Sequence, residues 1–477
     1  MKTVIIFILL FVSAVAADNM SNAPAIEWER LYGSTFLDVQ ETYNGDYVVA
    51  GRRWYNYART IFLYSPSGEK LWESSVYPYN RVSFAVIQLE SGDFIATGCG
   101  TSDESSTQYS LSIYKISSDG QALWSKVYEL EDNGKSYGSD IVELPDGGLA
   151  VCGRKDPVEG MDQAWILRTD SQGDTLWTRE WGWIYNDKAL KVFFIDNGLT
   201  VMTQGRLQAT SGGPHLIRYD LDGNLLWETD IPVLAGRYAR DICRASDTGF
   251  FLLVDNFITC IDLQGNMISY EQAANSRTVT GKEFIEEIHS WGISSTMDGG
   301  YVYCGMYYYQ WLPAGPHTKY GWIIRRDSTG KDLWGDYITD QNCTDIFSVR
   351  QLSQGGYIAA GKVWSPEDGQ QGFLRKYAPE TGIESGDVSS TFGITELSPN
   401  PFSAALGITF NLPSEANVSI IVYDLAGRVA CTVADGVFPA GSSTLEWVAP
   451  DELSSGCYLV QLDMADGHDI RNCVLLR

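Results

Sequence analysis

Three aspartates share one position in a repeating unit: Asp38, Asp140 and Asp241 each open an apolar strand pattern. Carboxylates gathered at a channel mouth could hold a cation or work as acid and base. The matching positions elsewhere are Ala85, Leu190, Gly292 and Ser348. The aspartates thus fall in alternate units, which stand far apart, and bonding of their oxygens to backbone N–H groups is the favoured role. The four histidines, His215, His289, His317 and His468, form no i,i+4 pair and belong to no Ser-elbow or metal motif. His317 lies in the aromatic loop of the sixth unit and is the one that could join a site. Asp220-Leu221-Asp222-Gly223-Asn224 has the look of a calcium loop but lacks the bidentate Glu at the required later position. No CxxC pair or Cys/His cluster suggests zinc. The residues therefore assign no catalytic group, no metal and no cofactor.

Aromatic residues offer a different chemistry. After Gly51 come Arg52, Arg53, Trp54, Tyr55, Asn56 and Tyr57; after Gly305 come Met306, Tyr307, Tyr308, Tyr309, Gln310 and Trp311; after Gly361 come Lys362, Val363 and Trp364. Matching stretches elsewhere are polar, as in residues 101–106. Read as loops on one face, Trp54, Tyr55, Tyr307, Tyr309, Trp311 and Trp364 make an aromatic sector that could stack on sugar rings or hold a peptide. The competing reading is that they pack on one another or on the C-terminal module.

The elements that would position these groups come from an internal repeat. A turn Gly is followed four residues later by Trp at Gly68/Trp72, Gly120/Trp124, Gly173/Trp177, Gly223/Trp227 and Gly330/Trp334. Gly265 marks a weaker copy with Tyr270, and Gly382 the seventh turn. A second, DGG-like turn recurs at Gly45, Gly92, Gly147, Gly299 and Gly355. Asp or Ser three residues before the first kind of Gly can bond the backbone across the turn, while Gly takes the positive-φ position. Two tight turns and one longer loop per unit predict a four-stranded antiparallel blade, and seven such units a β-propeller over residues 18–382. The seventh unit lacks its last strand. Ile26–Tyr32 resembles a detached one, so Trp28 is expected to complete that blade and remove an open edge. Residues 383–395 read as a linker. Alternation and turns in residues 396–477 predict a small β-sandwich. The expected class is all-β: a seven-bladed β-propeller plus a C-terminal Ig-like β-sandwich.

The Gly173-Asp174-Thr175-Leu176-Trp177 ending resembles the docking repeat of quinoprotein-type propellers. That resemblance implies that Trp28, Trp72, Trp124, Trp177, Trp227 and Trp334 are packing residues between blades. The quinone enzymes have eight blades and adjacent cysteines at the cofactor; seven units and no Cys-Cys pair here imply the scaffold without the redox chemistry. Residues 396–477 open on Ser398-Pro399-Asn400-Pro401-Phe402. They continue through Tyr423-Asp424-Leu425-Ala426-Gly427-Arg428 to Leu453-Ser454-Ser455-Gly456-Cys457-Tyr458-Leu459-Val460. This order resembles the type IX secretion sorting domain and the Ig-like module of flagellar hook-capping proteins. It implies the secretion machinery as a partner.

Composition sets the remaining bounds. The chain has 34 basic and 60 acidic residues in 477, a net charge of −26, which opposes an extended contact with nucleic acid. With 44% hydrophobic and 20% charged residues it can bury a core. Lys2, the apolar run Val4–Val12 and the small residues around Ala16 read as a signal peptide over residues 1–17. That run is shorter than the ~20 residues of a membrane span, and no second stretch is longer, so no integral membrane segment is expected in the mature chain. The nine cysteines are odd in number, Cys152 and Cys304 sit in apolar strand patterns and Cys99 follows the matching Gly98, so they read as small buried hydrophobes. The expectation is a secreted or cell-surface binding scaffold without enzymatic activity, its ligand a glycan or a protein. The alternative is a secreted carbohydrate-active hydrolase or lyase on the same scaffold.

Overall fold

The computed structural model describes residues 23–475 apart from 54–58, 76–79, 102–107, 131–133, 157–161, 183–186, 206–212, 232–236, 246–248, 256, 273–278, 281–283, 312–316, 340–343, 366–368, 381–392, 399–401, 413–415, 425–427, 440, 451–452, 454–455 and 465–466. Every regular element among the described residues is a strand, and no helix there is long and apolar enough to cross a membrane. The chain divides into two compact units, Met1–Glu380 and Thr381–Arg477. The expected signal peptide lies outside the described residues.

Among the described residues, the first unit contains seven antiparallel sheets, six of them contiguous in sequence. Their inner strands are Ser34–Glu41, Asn80–Gln88, Lys135–Glu143, Lys188–Ile195, Ala239–Ala245, Phe284–Ser295 and Asp345–Gln351. Each inner strand contacts that of the next sheet, and the last contacts the first, so the sheets close a ring. This is an all-β propeller. Middle strands such as Phe94–Gly100 and Gly198–Gln204 are buried along their whole length. Both of their faces pack on neighbouring sheets, which favours continuous apolar runs over alternation. The outer strand of the seventh sheet is Ile26–Tyr32, paired antiparallel with Gly369–Tyr377 so that Trp28 faces Lys376 and Glu29 faces Arg375. The sixth sheet has a fifth strand, Val279–Thr280, on the axial side of its inner strand, opposite Ile285 and Glu286.

The turns follow the chemistry of their residues. Asp170 Oδ1 accepts the N–H groups of Gln172 at 2.9 Å and Asp174 at 2.8 Å. Asp220, Asp262 and Asp327 accept in the same way in their own turns. The turn glycine has a second constraint, visible at Gly120. Its φ is +88°, and an added Cβ would lie 2.8 Å from the indole of Trp72, a residue of the preceding sheet. Trp72 Nε1 donates to Ser118 O of that same turn at 3.1 Å. Trp28 and Trp177 reach Pro66 O and Leu221 O of the following sheets, both at 2.9 Å. Trp334 reaches Glu380 Oε1 at 2.8 Å, Trp124 packs over Gly173, and Trp227 packs against the core of the next seam. The fifth sheet departs from this pattern: Tyr270 stacks on Phe257 of its own sheet at 4.9 Å, and Glu271 bonds Tyr301 across the seam.

The second unit is a two-sheet sandwich. Gly393–Ser398, Ala405–Leu412 and Gly441–Val448 form one sheet; Val429–Phe438, Ala416–Asp424, Gly456–Met464 and Gly467–Leu475 form the other. Leu406, Ile408, Phe410, Val418, Ile420, Val422, Trp447, Val460 and Leu462 fill the core between them. The first strand starts at Gly393, inside the span read from the sequence as a linker. Cys99, Cys152, Cys243, Cys304 and Cys473 are buried thiols.

Candidate functional site

Every inner strand of the ring carries a β-bulge at the same level. The register skips one residue, in order Leu37, Phe84, Ser139, Leu190, Arg240, Trp291 and Phe347. A bulge leaves its extra residue unpaired and re-aims the side chains around it. It also explains a repeated glycine on the neighbouring strand. At Gly153 an added Cβ would lie 1.8 Å from Tyr137 O, the carbonyl that the bulge pushes across. Gly51, Gly305 and Gly361 meet the same obstacle.

The residues just after the bulges are Asp38, Ala85, Asp140, Lys191, Asp241, Gly292 and Ser348. The fourth member is Lys191, not the Leu190 expected from sequence, because spacing alone does not show which residue of the pair is extruded. Each aspartate accepts a backbone N–H from the inner strand of the next sheet: Asp38 from Val86 at 3.5 Å, Asp140 from Val192 at 3.1 Å and Asp241 from Ile293 at 3.0 Å. Asp38 also accepts Ser348 Oγ at 3.2 Å and Arg350 Nη2 at 3.3 Å, and Lys191 Nζ lies 3.4 Å from Asp140 Oδ1.

The three aspartates thus bond the backbone as expected, and their charges are also felt across the ring. Burial pushes the Asp140 carboxyl up; Lys191 pulls it down, and Asp38 and Asp241 add upward pushes. Asp241 is likewise raised by burial, against Lys191 and Arg350. Lys191 loses by burial but gains more from Asp140, Asp241 and Asp38, so its ammonium is held above its ordinary value. Arg350 is raised in the same way. Groups from the first, third, fourth, fifth and seventh sheets meet electrostatically only if they are directed to the axis. Lys191 and Arg350 were not identified from sequence; a glycine opposite the bulge in five of the sheets is the signal that points to this level, and the fourth and fifth sheets have Thr203 and Val254 there instead.

The extruded residues of the last three sheets form a second layer. Arg240 lies over Trp291 at 5.7 Å, Trp291 is 6.1 Å from Phe347, and Lys362 Nζ lies over Phe347 at 5.4 Å. His289, unremarkable in the sequence, stacks on Trp291 at 5.7 Å with 15° between the planes. Trp291 Nε1 is buried and has no acceptor among the described residues. Phe84, on the second sheet, is 39% exposed. Such alternation of cations and ring faces is favourable in itself, at about 0.5–2 kcal/mol per contact.

The aromatic candidates read from sequence fall out as follows. Trp54 and Tyr55 lie outside the described residues. Tyr307, Tyr309 and Trp311 are not on a loop: they belong to the strand Tyr301–Trp311, which runs six residues past Gly305 in register with Phe284–Ser295. A run of β-favouring aromatics extends this ribbon. Tyr307 stacks on Tyr320 at 4.6 Å and packs against the core. Trp364 lies on the strand Tyr357–Ser365 and is 46% exposed. In register, Tyr307, Tyr309, Trp311 and Trp364 all lie beyond the bulges, at the end of the ring where the inner strands begin.

No protein-family profile matches the chain, and no curated protein matches it. Among solved structures, the chain is similar to a protein of unknown function from Bacteroides caccae, at 16% identity, TM-score 0.38, covering 61% of this chain and 93% of that one. It is also similar to the Pan2 WD40 domain of Neurospora crassa, at 8% identity, TM-score 0.42, covering 73% of this chain and 90% of that one.

Proposed function

We propose that the chain is an exported, non-enzymatic binding scaffold, secreted or held at the cell surface, with seven blades and a ligand that is a glycan or a protein. The observation that carries this reading is the gathering of Arg240, Trp291, Phe347 and Lys362 at the axial end where Trp364 is also exposed. The exposed Trp364 ring offers stacking, and the cations offer orientation. Residues 396–477 serve secretion or surface sorting in this reading, supported by the order of their motifs, and residues 1–17 direct export. The test is binding of the mature chain to glycan and protein arrays, with Trp364→Ala as the control. A ligand that loses several-fold affinity in that variant supports the reading; a ligand unaffected by it moves the site elsewhere.

The second reading, a carbohydrate-active hydrolase or lyase, draws on the raised carboxyls of Asp140 and Asp241, since displaced values gather at catalytic sites. Against it, each of these carboxylates already bonds the backbone of the neighbouring sheet. Release of new reducing ends from a polysaccharide by the wild type, lost in Asp140→Asn, would favour the enzyme.

A further inference from the structure

From the cation and ring layer we infer the class of ligand: a glycan whose terminal sugar carries one carboxylate, seated at the axial mouth between Arg240 and Lys362. This rests on the binding-scaffold reading and adds the ligand's chemistry. The layer runs continuously over three neighbouring sheets, from Arg240 through Trp291 and Phe347 to Lys362. The exposed Trp364 ring at the same end suits the C–H face of a pyranose, and a cation stands at each end of the row.

Among the described residues, the cations are incompletely matched by carboxylates. Arg240 Nη2 is 3.7 Å from Asp255 Oδ1, beyond hydrogen-bond reach, and the other Asp255 oxygen accepts the Tyr238 N–H at 3.2 Å. Lys362 shares one carboxylate, Asp345, with Lys319, at 3.2 and 2.8 Å. Lys188, at the start of the fourth inner strand, is lowered first by burial and then by Arg240 and Arg154, against a smaller upward pull from Asp162, which pairs with Arg154 at 2.7 Å. Cations crowd each other here although the chain carries −26 overall. A neighbouring anion gains where they crowd.

The same net charge decides between one carboxylate and many. Screening confines the local attraction to about 8 Å at physiological salt. A single carboxylate within that reach feels the cations. A polyanion extends past it and meets the acidic remainder of the surface, so an acidic polysaccharide or nucleic acid is disfavoured.

The test is calorimetric titration of the mature chain with three probes: a disaccharide ending in glucuronic acid, its neutral glucose-ended counterpart, and an acidic hexapeptide. The uronic disaccharide should bind at least about tenfold tighter than the neutral one, and the margin should shrink in high salt. Arg240→Gln combined with Lys362→Gln should erase the preference, bringing the uronic disaccharide to the affinity of its neutral counterpart, in a chain that still melts cooperatively. Equal binding of the two sugars, a preference that survives the double variant, or tighter binding of the peptide overturns the inference. If both disaccharides fail but an array ligand is lost in Trp364→Ala, the ligand class falls and the scaffold stands. If the arrays are also blank, both fall.

Discussion

The Glu29 carboxylate accepts the Nε–H of Arg375 at 2.8 Å, across 346 positions of sequence. The Arg375 side chain is 3% exposed, and its Nη1 donates to Asp336 at 2.8 Å, so one guanidinium ties the seventh sheet both to its outer strand and to the sixth sheet. Tyr377 OH also donates to Asp336, at 2.7 Å. Ring closure therefore joins main-chain pairing to a buried charge network.

Deleting residues 18–33 removes the outer strand of the seventh sheet and leaves Gly369–Tyr377 as an open edge, so aggregation or a large drop in melting temperature is expected. Glu29→Ala is milder. It leaves Arg375 with Asp336 and should cost about 1–3 kcal/mol. A truncated chain that stays soluble and melts unchanged would reject the closure.

Gly120 and Gly92 separate two costs. Both have positive φ, +88° and +86°, but an added Cβ meets Trp72 at the first and nothing within 4 Å at the second. Gly92→Ala should lose roughly 1 kcal/mol from backbone conformation. Gly120→Ala should lose clearly more, because a side chain there displaces the indole from its seat. Equal losses in denaturant melts would show that the indole contact adds nothing.

Asp241 should make stability fall with rising pH. Burial holds its carboxyl above the ordinary value, so the folded chain keeps the proton to higher pH than the unfolded chain does. No penalty exists below the unfolded value, and stability is lost as pH rises through the folded one. Asp241→Asn retains an oxygen for the Ile293 N–H and removes the charge. In melts from about pH 3 to pH 8, the variant should gain on the wild type as pH rises past the carboxylate range. A difference that stays constant with pH would contradict the assignment.

Two tryptophans provide a contrast between surface and seam. Trp334 is 2% exposed and Trp364 46%. Trp334→Ala should lose about 3–5 kcal/mol. Trp364→Ala should stay within about 0.5 kcal/mol in stability while weakening ligand binding. If Trp364→Ala melts as badly as Trp334→Ala, the aromatic is part of the core, and the rim loses its exposed ring.

Removal of residues 396–477 tests the sorting role. The first unit has its own closed ring and cores, so the truncated chain should fold and melt as a propeller. Cell fractionation should then find it retained in the periplasm. Its unimpaired arrival at the surface or in the medium would reject the role.

The local devices of this protein are legible in its sequence because they are decided within a few residues. Asp170 to Asp174 encode a turn through one side-chain oxygen, and Gly173 through its positive φ; the alternation of turns and apolar runs then yields four-stranded sheets. The repeat of Gly and Trp also marks the seams, since a flat ring needs a seat without a Cβ. The axial layers are a different matter. Lys191, Arg350, His289 and Trp291 sit in unremarkable stretches, and their proximity to Asp140, Asp241 or Arg240 depends on seven bulges falling at one level and on the ring bringing them inward. A bulge shifts side-chain direction by one residue, and a period-two pattern does not reveal where that shift occurs. Tyr301–Trp311 shows the same limit: its aromatics read as a loop by analogy with polar neighbours, yet pairing with Phe284–Ser295 holds them as strand. Short-range propensity and turn chemistry settled the sheets; the meeting of charges and rings at the axis was decided only by long-range closure, because groups from separate sheets have no fixed distance until the ring exists.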